Sequence, residues 1–384
     1  MARGEKPYRV YRGGRAKGRV PLQRRAQPPV REPRPRTRPA APVPAPARSG
    51  RGGWGRRISI AVVVVFLAIV VWAVASYLML SGAVEEANQR LPAVPLDEQT
   101  GLLINEPTTL LLLGTDSGPG VGREGSRRSD SIMLVRSDPT RGRMTFLSVP
   151  RDLRADIPGR GFGKINAAFQ YGGPPLALRS VKNLTGLQVN HMLVIDFRNF
   201  VQLIDALGGV EIDVPEPIVA NKFDCPFKTQ QQCDRWSGWR FGAGKQTMNG
   251  RRALVYSRIR ENRLNPAEND LTRGERQQAV VRAIVDKMTS FTTLAKMPWI
   301  ADDIMAPLAT DLSPGQFAQL AWAKKRAGSE LRCRLGGTPS EIGGESFLIG
   351  SEENRNVVLM FLGAAAPQPP PPGTGPYGPG CIQR

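Results

Sequence analysis

The chain has 384 residues and a formal charge of +20, a length that suits one large domain or two ordinary ones with tails. Residues 1–57 hold 17 Lys or Arg and two acids, so they carry +15 of the excess, and the rest of the chain carries only +5. Because the charge excess belongs to one end, composition disfavours a folded nucleic-acid-binding domain.

The basic segment, residues 1–57, is also rich in Pro, Gly and Ala and has few large apolar residues. Such a segment cannot bury enough surface to offset the entropy of ordering, so we expect a disordered tail. We interpret its charge as a topology signal that also contacts the anionic headgroups of membrane lipids. Nucleic-acid binding by the tail is the alternative interpretation.

Residues Ile58–Leu80 (ISIAVVVVFLAIVVWAVASYLML) form an uncharged run of 23 residues. As a helix they extend about 35 Å, which is enough to cross a bilayer. A cleaved signal peptide is the alternative, but its apolar core would be shorter and nearer the start. Arg56 and Arg57 precede the run, so the positive-inside rule places the tail in the cytoplasm and residues 81–384 outside.

Beyond the span we expect a juxtamembrane linker over 81–99, a folded domain over 100–362 and a Pro/Gly-rich tail over 363–384. Short apolar runs bounded by turn residues predict strands. The predicted strands are TTLLLLG, DSIMLVRS, RMTFLSV, HMLVID, VEIDV and VYSRIR.

Between these strands, apolar periodicity and glycine punctuation predict helices. The predicted helices are KINAAFQYGG, PPLALRSVKNLTG, FRNFVQLIDALGG, a short one near 248–254 and a long one over about 273–291. Alternation of the two element types predicts a mixed α/β (α+β) fold, with a central mixed β-sheet flanked by helices.

All four cysteines lie on the predicted outer side, where disulfides persist. Cys225 and Cys233 bracket a short polar loop and are expected to pair, which leaves Cys333 and Cys381 as the second pair. A zinc site is the alternative. It is disfavoured because the chain has no C-x-x-C and one histidine.

The stretch YSRIRENRLNPAENDLTRGERQQ concentrates arginines before the long helix. On a helical wheel Arg273 and Gln277 lie on the same face as the apolar residues that follow them, Val281 and Ile284. With the free N–H groups of the helix start, and with Arg258 and Arg260 two apart on the predicted strand, they favour a phosphate or pyrophosphate site. The alternative is a solvated charged face with ion pairs to Glu261, Glu268 and Glu275.

Three stretches in order, LLLGTDS…RSDSIMLV, SVPRDLRADIP…GKINAAFQYGG and ALVYSRIR…DLTRGERQQ, with GGVEIDV between them, resemble the LytR–CpsA–Psr family. The resemblance covers roughly residues 108–290. It implies a membrane-anchored phosphotransferase that uses Mg²⁺ and moves a glycopolymer from a polyprenyl-pyrophosphate carrier onto peptidoglycan through a phosphodiester. It also implies an apolar tunnel for the lipid, with the pyrophosphate among arginines at its mouth.

The resemblance further implies roles for individual residues. Asp116 and Asp130 correspond to the family's magnesium-associated aspartates, and carboxylate oxygens suit Mg²⁺. Either aspartate can serve as the base for the attacking hydroxyl. Arg151 corresponds to the catalytic arginine at the pyrophosphate. The remaining substrate-binding candidates are Asp152, Lys164, Arg258, Arg260, Asp270, Arg273, Arg276 and Gln277.

The chain departs from the family at the first motif, where Gly118 stands in place of an arginine. Arg127 or Arg128 can supply that charge instead, so Arg128 is added to the substrate-binding candidates. Two other functions remain open for the same site: hydrolysis of polyprenyl pyrophosphate, and non-catalytic binding of the lipid by a regulatory module.

Overall fold

The computed structural model describes residues 52–115, 129–265, 270–372 and 378–383. The chain divides after Ile58 into two compact units. In the first unit, residues 52–58 are helical, and most of the segment expected to be a disordered tail lies outside the described residues. The second unit, residues 59–384, contains the elements discussed below.

Fifteen strands occur among the described residues. They are β1 Thr108–Thr115, β2 Ser129–Asp138, β3 Arg143–Val149, β4 Arg154–Ile157, β5 Gly161–Lys164, β6 His191–Asp196, β7 Val210–Val214, β8 Ile218–Val219, β9 Arg240–Phe241, β10 Gly244–Met248, β11 Leu308–Thr310, β12 Ser329–Arg334, β13 Gly337–Ile342, β14 Glu345–Gly350 and β15 Gly380–Gln383. Seven of them form one mixed sheet in the order β11-β6-β1-β2-β3-β12-β15. The β1–β6 and β3–β12 pairs are parallel, and the other pairs in this sheet are antiparallel.

Nine helices occur in the same described ranges. They are α1 Gly52–Arg90, α2 Ala167–Thr185, α3 Phe197–Ala206, α4 Gln230–Arg235, α5 Gly250–Arg258, α6 Asp270–Met288, α7 Phe291–Met305, α8 Pro314–Arg326 and α9 Glu353–Leu362. The predicted mixed sheet with flanking helices is therefore confirmed. The two short helices predicted around the glycines form one kinked element, α2, with non-helical backbone at Gly172 and Gly173.

The first strands of the sheet are nearly continuous apolar runs because both of their faces are covered. Leu111 and Leu113 of β1 lie in a core cluster with residues of α2 and α9. The opposite face includes Met133 and Val135, which pack with Leu112 and with Val281 of α6. Each strand thus supplies side chains to two separate layers.

The predicted strand VYSRIR is wrong: residues 255–258 end helix α5, and the extended backbone begins at Ile259, which caps the helix. Asn249 caps this helix by accepting a hydrogen bond from the Arg252 backbone N–H at 2.9 Å. The apolar residues at 253, 255, 256 and 259 fit one face of a helix as well as a strand. A run this short does not distinguish the helical period of 3.6 residues from the strand period of 2.

The segment after the predicted span is not a linker throughout, because α1 continues to Arg90. Ala83, Val84 and Ala87 lie in the core cluster that also contains Met305 and Leu308. The Arg90 Nη1 donates to the backbone oxygens of Met305 and Leu308 at 3.1 and 3.0 Å. The end of α1 is therefore built into the domain.

The C-terminal tail also returns to the domain, since β15 pairs with β12 at the edge of the main sheet. Both predicted disulfides are present, with Cys225–Cys233 in the loop around α4 and Cys333–Cys381 joining β12 to β15. A Cβ at Gly380 would lie 2.4 Å from the Pro370 backbone nitrogen, so only glycine fits at the start of β15.

Removing the Cys333–Cys381 bridge is expected to cost more stability than removing Cys225–Cys233. The bridged cysteines are 48 and 8 residues apart, respectively. The chain-entropy model gives losses of about 4 and about 2.5 kcal/mol for these loops. Guanidinium unfolding of the full chain in detergent, with each cysteine pair replaced by alanine, measures both losses. An equal or larger loss from the Cys225–Cys233 pair would contradict this expectation.

Candidate functional site

Several strands of the main sheet end at one edge. Thr115 at the end of β1 pairs with Asp196 at the end of β6 and with Ser129 at the start of β2. The register slips there, since Gly114 pairs with Ser131 and Thr115 with Ser129, which leaves Asp130 opposite no residue in a bulge. Bulges of this kind redirect side chains and are frequent beside functional sites.

The ends of β3 and β12 lie at the same edge, where Ser148 pairs with Arg334. The start of α6 packs against them: a Cβ at Gly274 would lie 3.4 Å from the Ser148 hydroxyl oxygen. Between these elements is a polar cavity of about 190 Å³. Four arginines of the described residues line it, namely Arg151, Arg273, Arg332 and Arg334.

Arg151 follows the end of β3, and its Nε lies 3.4 Å from Asp152 Oδ2. Its carbonyl oxygen accepts a hydrogen bond from the Asn166 backbone N–H at 3.2 Å, which ties this loop to the start of α2. Arg273, in the first turn of α6, is only 8% exposed although it lines the cavity. A nearly buried guanidinium has lost most of its hydration, so an anion beside it is bound more strongly than at the surface.

Arg332 and Arg334 were not predicted as site residues, although their spacing in the sequence could have indicated that they share one face of a strand. They are two apart on β12, and alternate residues of a strand point to the same side. Arg334 donates from Nε to the Gly378 carbonyl oxygen at 2.8 Å, and its Nη1 lies 3.4 Å from Glu275 Oε1. Burial lowers the pKa of Arg334 and Glu275 opposes this shift, but a guanidinium keeps its charge at neutral pH.

The C-terminal segment forms one wall of the polar cavity through Pro370, Gly380 and Ile382. The disulfide to Cys333 holds this wall against β12. On the other side, the Gln278 side-chain amide donates to the Cys333 carbonyl oxygen at 3.0 Å, which ties α6 to the same strand. The mouth of the site is thus made by three segments that are distant in sequence.

A second, apolar cavity of about 400 Å³ lies between the sheet, α6 and α1. Its walls include Leu110, Met133, Val281, Ile284, Trp72 and Tyr77. Gln277 lines both the polar and the apolar cavity. The predicted helix face is confirmed, because Gln277, Val281, Ile284 and Met288 all face this second cavity.

Residues 76–352 match the LytR_cpsA_psr family. The chain belongs to this family. One relative, the Bacillus subtilis polyisoprenyl-teichoic acid–peptidoglycan teichoic acid transferase TagV, is 31% identical over 54% of this chain and 50% of TagV. The regulatory protein MsrR of Staphylococcus aureus is 31% identical over 64% of this chain and 68% of MsrR.

The fold is also that of solved family members. A structure of TagT with bound octaprenyl pyrophosphate lipid superposes with a TM-score of 0.52 at 23% identity. The superposition covers 71% of this chain and 100% of TagT. At this identity the likeness shows the fold alone.

Of the residues assigned from the family resemblance, Arg151, Arg273 and Gln277 line the polar cavity. Arg276 does not: it is 5% exposed, and its Nη2 donates to the Ile259 carbonyl oxygen at 2.8 Å. That contact ties α6 to the segment after α5. Arg258 lines neither cavity and pairs with Asp224.

The other described candidates also lie outside the polar cavity lining. Arg260 is exposed after the end of α5. Lys164 on β5 lies 3.9 Å from Glu345 Oε2 and 5.5 Å from the Phe347 ring centroid, beside the β13–β14 hairpin. Asp152 is not part of the described cavity lining, and its Oδ2 lies 3.4 Å from Nε of Arg151, which is part of that lining.

The magnesium ligands, Asp116 and Asp130, stay predictions. Asp116 lies outside the described residues, as do Arg127 and Arg128. The structure describes only the backbone of Asp130 and Asp270. Asp130 lies at the bulge of β2, and Asp270 is the first residue of α6. Among the described residues, no group of three His, Cys, Asp or Glu is arranged to hold a metal ion.

Proposed function

We propose that this protein is a membrane-anchored phosphotransferase that moves a glycopolymer from a polyprenyl-pyrophosphate carrier onto peptidoglycan. The observation that carries the proposal is the meeting of the two cavities at Gln277, one lined by four arginines and the other by apolar side chains. An isoprenoid pyrophosphate has the same two parts, a dianionic head and a long apolar tail. The activity in the name of TagV, transfer of teichoic acid from a polyisoprenyl carrier to peptidoglycan, supports the same substrate class.

In this proposal the arginines neutralise the pyrophosphate and fix its orientation. Phosphoryl transfer depends on charge stabilisation and in-line positioning more than on covalent catalysis by the protein. Arg273 and Arg334 approach from α6 and β12, and Arg151 approaches from the end of β3. Guanidinium groups from different elements can contact separate phosphate oxygens at once.

The reaction forms a P–O bond between the acceptor hydroxyl and the phosphate that carries the glycan. It breaks the bridging P–O bond of the pyrophosphate, and polyprenyl phosphate leaves. A carboxylate accepts the proton of the hydroxyl, and Asp116 or Asp130 is proposed for this role. The bulge at Asp130 lies at the sheet edge where Arg151 follows β3, which supports Asp130 as a candidate for this role.

We also propose Mg²⁺ as the cofactor, held by Asp116 and Asp130. Two carboxylates are hard oxygen donors of the kind that Mg²⁺ prefers. When bound, the ion would neutralise developing charge on phosphate oxygens. The remaining negative charge would be balanced by the arginine side chains described above.

For the membrane topology we propose a cytoplasmic N-terminus and an outer catalytic domain. Within the described residues, α1 is the one helix long and apolar enough to cross a membrane. Arg56 and Arg57 before it and the basic tail favour the cytoplasm for the N-terminal side. The outer location brings the site to peptidoglycan and away from nucleic acid.

The test uses the full chain in detergent with a polyprenyl-pyrophosphate-linked saccharide, a peptidoglycan oligomer, and either Mg²⁺ or EDTA. We expect a phosphodiester conjugate, detected by mass spectrometry, that requires the metal and disappears in Arg151→Ala. The control is Arg179→Ala, a change on α2 outside both cavities.

Two other outcomes would replace the proposal. Released polyprenyl phosphate without conjugate, with several wall acceptors, would indicate a hydrolase. Tight lipid binding without turnover under any metal would indicate a binding module, a role that the regulatory name of MsrR favours.

A further inference from the structure

Helix α7 lies beside the predicted membrane span. The Trp72 indole Nε1 donates to the Ala295 carbonyl oxygen at 3.0 Å, and Trp72 belongs to the uncharged run that ends at Leu80. At the other end, Arg90 binds the Met305 carbonyl oxygen. The first half of α7 is thus next to the span, and its last turn is next to the end of α1 in the domain.

The position of Trp72 gives the depth of this contact. A hydrocarbon core of about 30 Å takes about 20 helical residues, so a span that begins at Ile58 leaves the core near Tyr77. Trp and Tyr are enriched at the membrane interface, where Tyr77 would then lie. Trp72, five residues earlier, would lie about 7.5 Å deeper, which is within the depth that an interfacial helix reaches. Ala295, which contacts Trp72, would lie at the same depth.

The first nine residues of α7, 291–299, expose large apolar side chains. Phe291 is 85% exposed and Trp299 is 74% exposed, and both lie on the helix face of Ala295 at i, i+4, i+8 spacing. Leu294 is 41% exposed. The exposed acids Asp302 and Asp303 occur only in the last turns, next to the domain. Exposed negative charge is therefore confined to the end of α7 that is next to the domain. The exposed Lys296 lies among the apolar side chains, and a long basic side chain there can extend to the anionic lipid headgroups.

The apolar cavity reaches the same place. Trp72, Ser76, Tyr77 and Leu80 of α1 and Leu294 and Met297 of α7 form part of its lining. A chain that enters between α1 and α7 at this depth would pass from lipid into the cavity without crossing water. An exposed apolar face continuous with a membrane span has the lipid interface as its natural cover.

We infer that residues 291–299 of α7 lie in the outer-leaflet interface and that the apolar cavity opens there, between α1 and α7, to admit the isoprenoid chain laterally. The inference rests on the proposed function for the identity of the chain and for the outer location. The occupant of the exposed face is the lipid bilayer. A second copy of this protein on that face is the competing outcome.

The first test labels the full chain, with its native disulfides kept oxidised, at Phe291→Cys with an environment-sensitive fluorophore. Phe162→Cys is the matched control, because Phe162 is also an exposed phenylalanine, 67%, but lies on β5 away from α1. The protein is reconstituted in vesicles of phosphatidylcholine and phosphatidylglycerol that contain a shallow spin-labelled lipid. We expect several-fold stronger quenching at position 291 than at position 162.

Equal quenching at the two positions would overturn the inference. A label at position 291 that is buried but not quenched by lipid, with a signal that depends on protein concentration, would also overturn it. That result would mean that a second copy of the protein covers the face. Because quenching needs no turnover, this result is independent of the proposed reaction.

A second test replaces Phe291→Ser and Trp299→Gln together, since neither side chain lines the apolar cavity. Turnover of a long-chain carrier embedded in vesicles is expected to fall about tenfold, equivalent to about 1.4 kcal/mol. Turnover of a short, water-soluble carrier in detergent should be unchanged, which also shows that the variant is folded. Equal loss with both carriers would overturn the inference, whereas no turnover by the unmodified protein would contradict only the proposed function.

Discussion

Replacing Arg273 by glutamine is expected to lower kcat/KM for glycopolymer transfer about 100-fold, because losing one positioned donor to transition-state charge costs about 2.7 kcal/mol or more. Arg273 lines the polar cavity and is only 8% exposed. Its charge is thus poorly screened by water and would act directly on the phosphate oxygens. Initial rates of conjugate formation at varied carrier concentration measure the effect.

The matched control is Arg282→Gln on the same helix. Arg282 is partly buried and lies 3.6 Å from Glu330 through Nη1, and it lines neither cavity. Its replacement should change kcat/KM less than about threefold, on the scale of a partly exposed ion pair. Arg273→Lys should recover part of the activity, because a point charge remains although the planar fork is lost. Equal losses at 273 and 282 would show that general destabilisation, and not the charge at the cavity, causes the effect.

The parts of the site that could be predicted are those encoded by local patterns. Arg273 and Gln277 share a helical face with Val281 and Ile284, so the junction of polar and apolar lining follows from a period of 3.6 residues. The strands of the main sheet were predictable for the same reason, since short apolar runs between turn residues are typical of strands buried on both faces.

The parts that could not be predicted depend on pairing between distant segments. Arg332 and Arg334 enter the site only because β12 joins the sheet in parallel with β3. The Cys333–Cys381 pair was expected, but Pro370 and Ile382 line the cavity because β15 also pairs with β12 at the sheet edge, which the cysteines alone do not indicate. Arg276, by contrast, matches the motif of the binding arginines, but its Nη2 donates a hydrogen bond to the Ile259 carbonyl oxygen. Sequence spacing does not distinguish such a structural arginine from a binding one.

Filling the apolar cavity is the second change with a large expected effect. In Val281→Trp, a larger side chain of α6 would occupy space between the sheet and the helix, where Val281 faces Leu112 and Met133. Excluding three to four methylene equivalents of the isoprenoid at about 0.8 kcal/mol each would weaken long-chain binding about 100-fold. Titration of the full chain with octaprenyl pyrophosphate and with geranyl pyrophosphate measures the dissociation constant of each lipid.

Geranyl pyrophosphate should bind the variant nearly as well as the unmodified protein, because its head stays among the arginines and its short tail needs only the first part of the cavity. Lys287→Trp adds the same ring to the same helix but outside both cavities, and it should leave both ligands unaffected. A parallel loss for both lipids in Val281→Trp would place the tail elsewhere and separate the two cavities functionally. A loss confined to the long chain would mean that Gln277, the residue common to both cavities, marks the point where the lipid changes from anion to hydrocarbon.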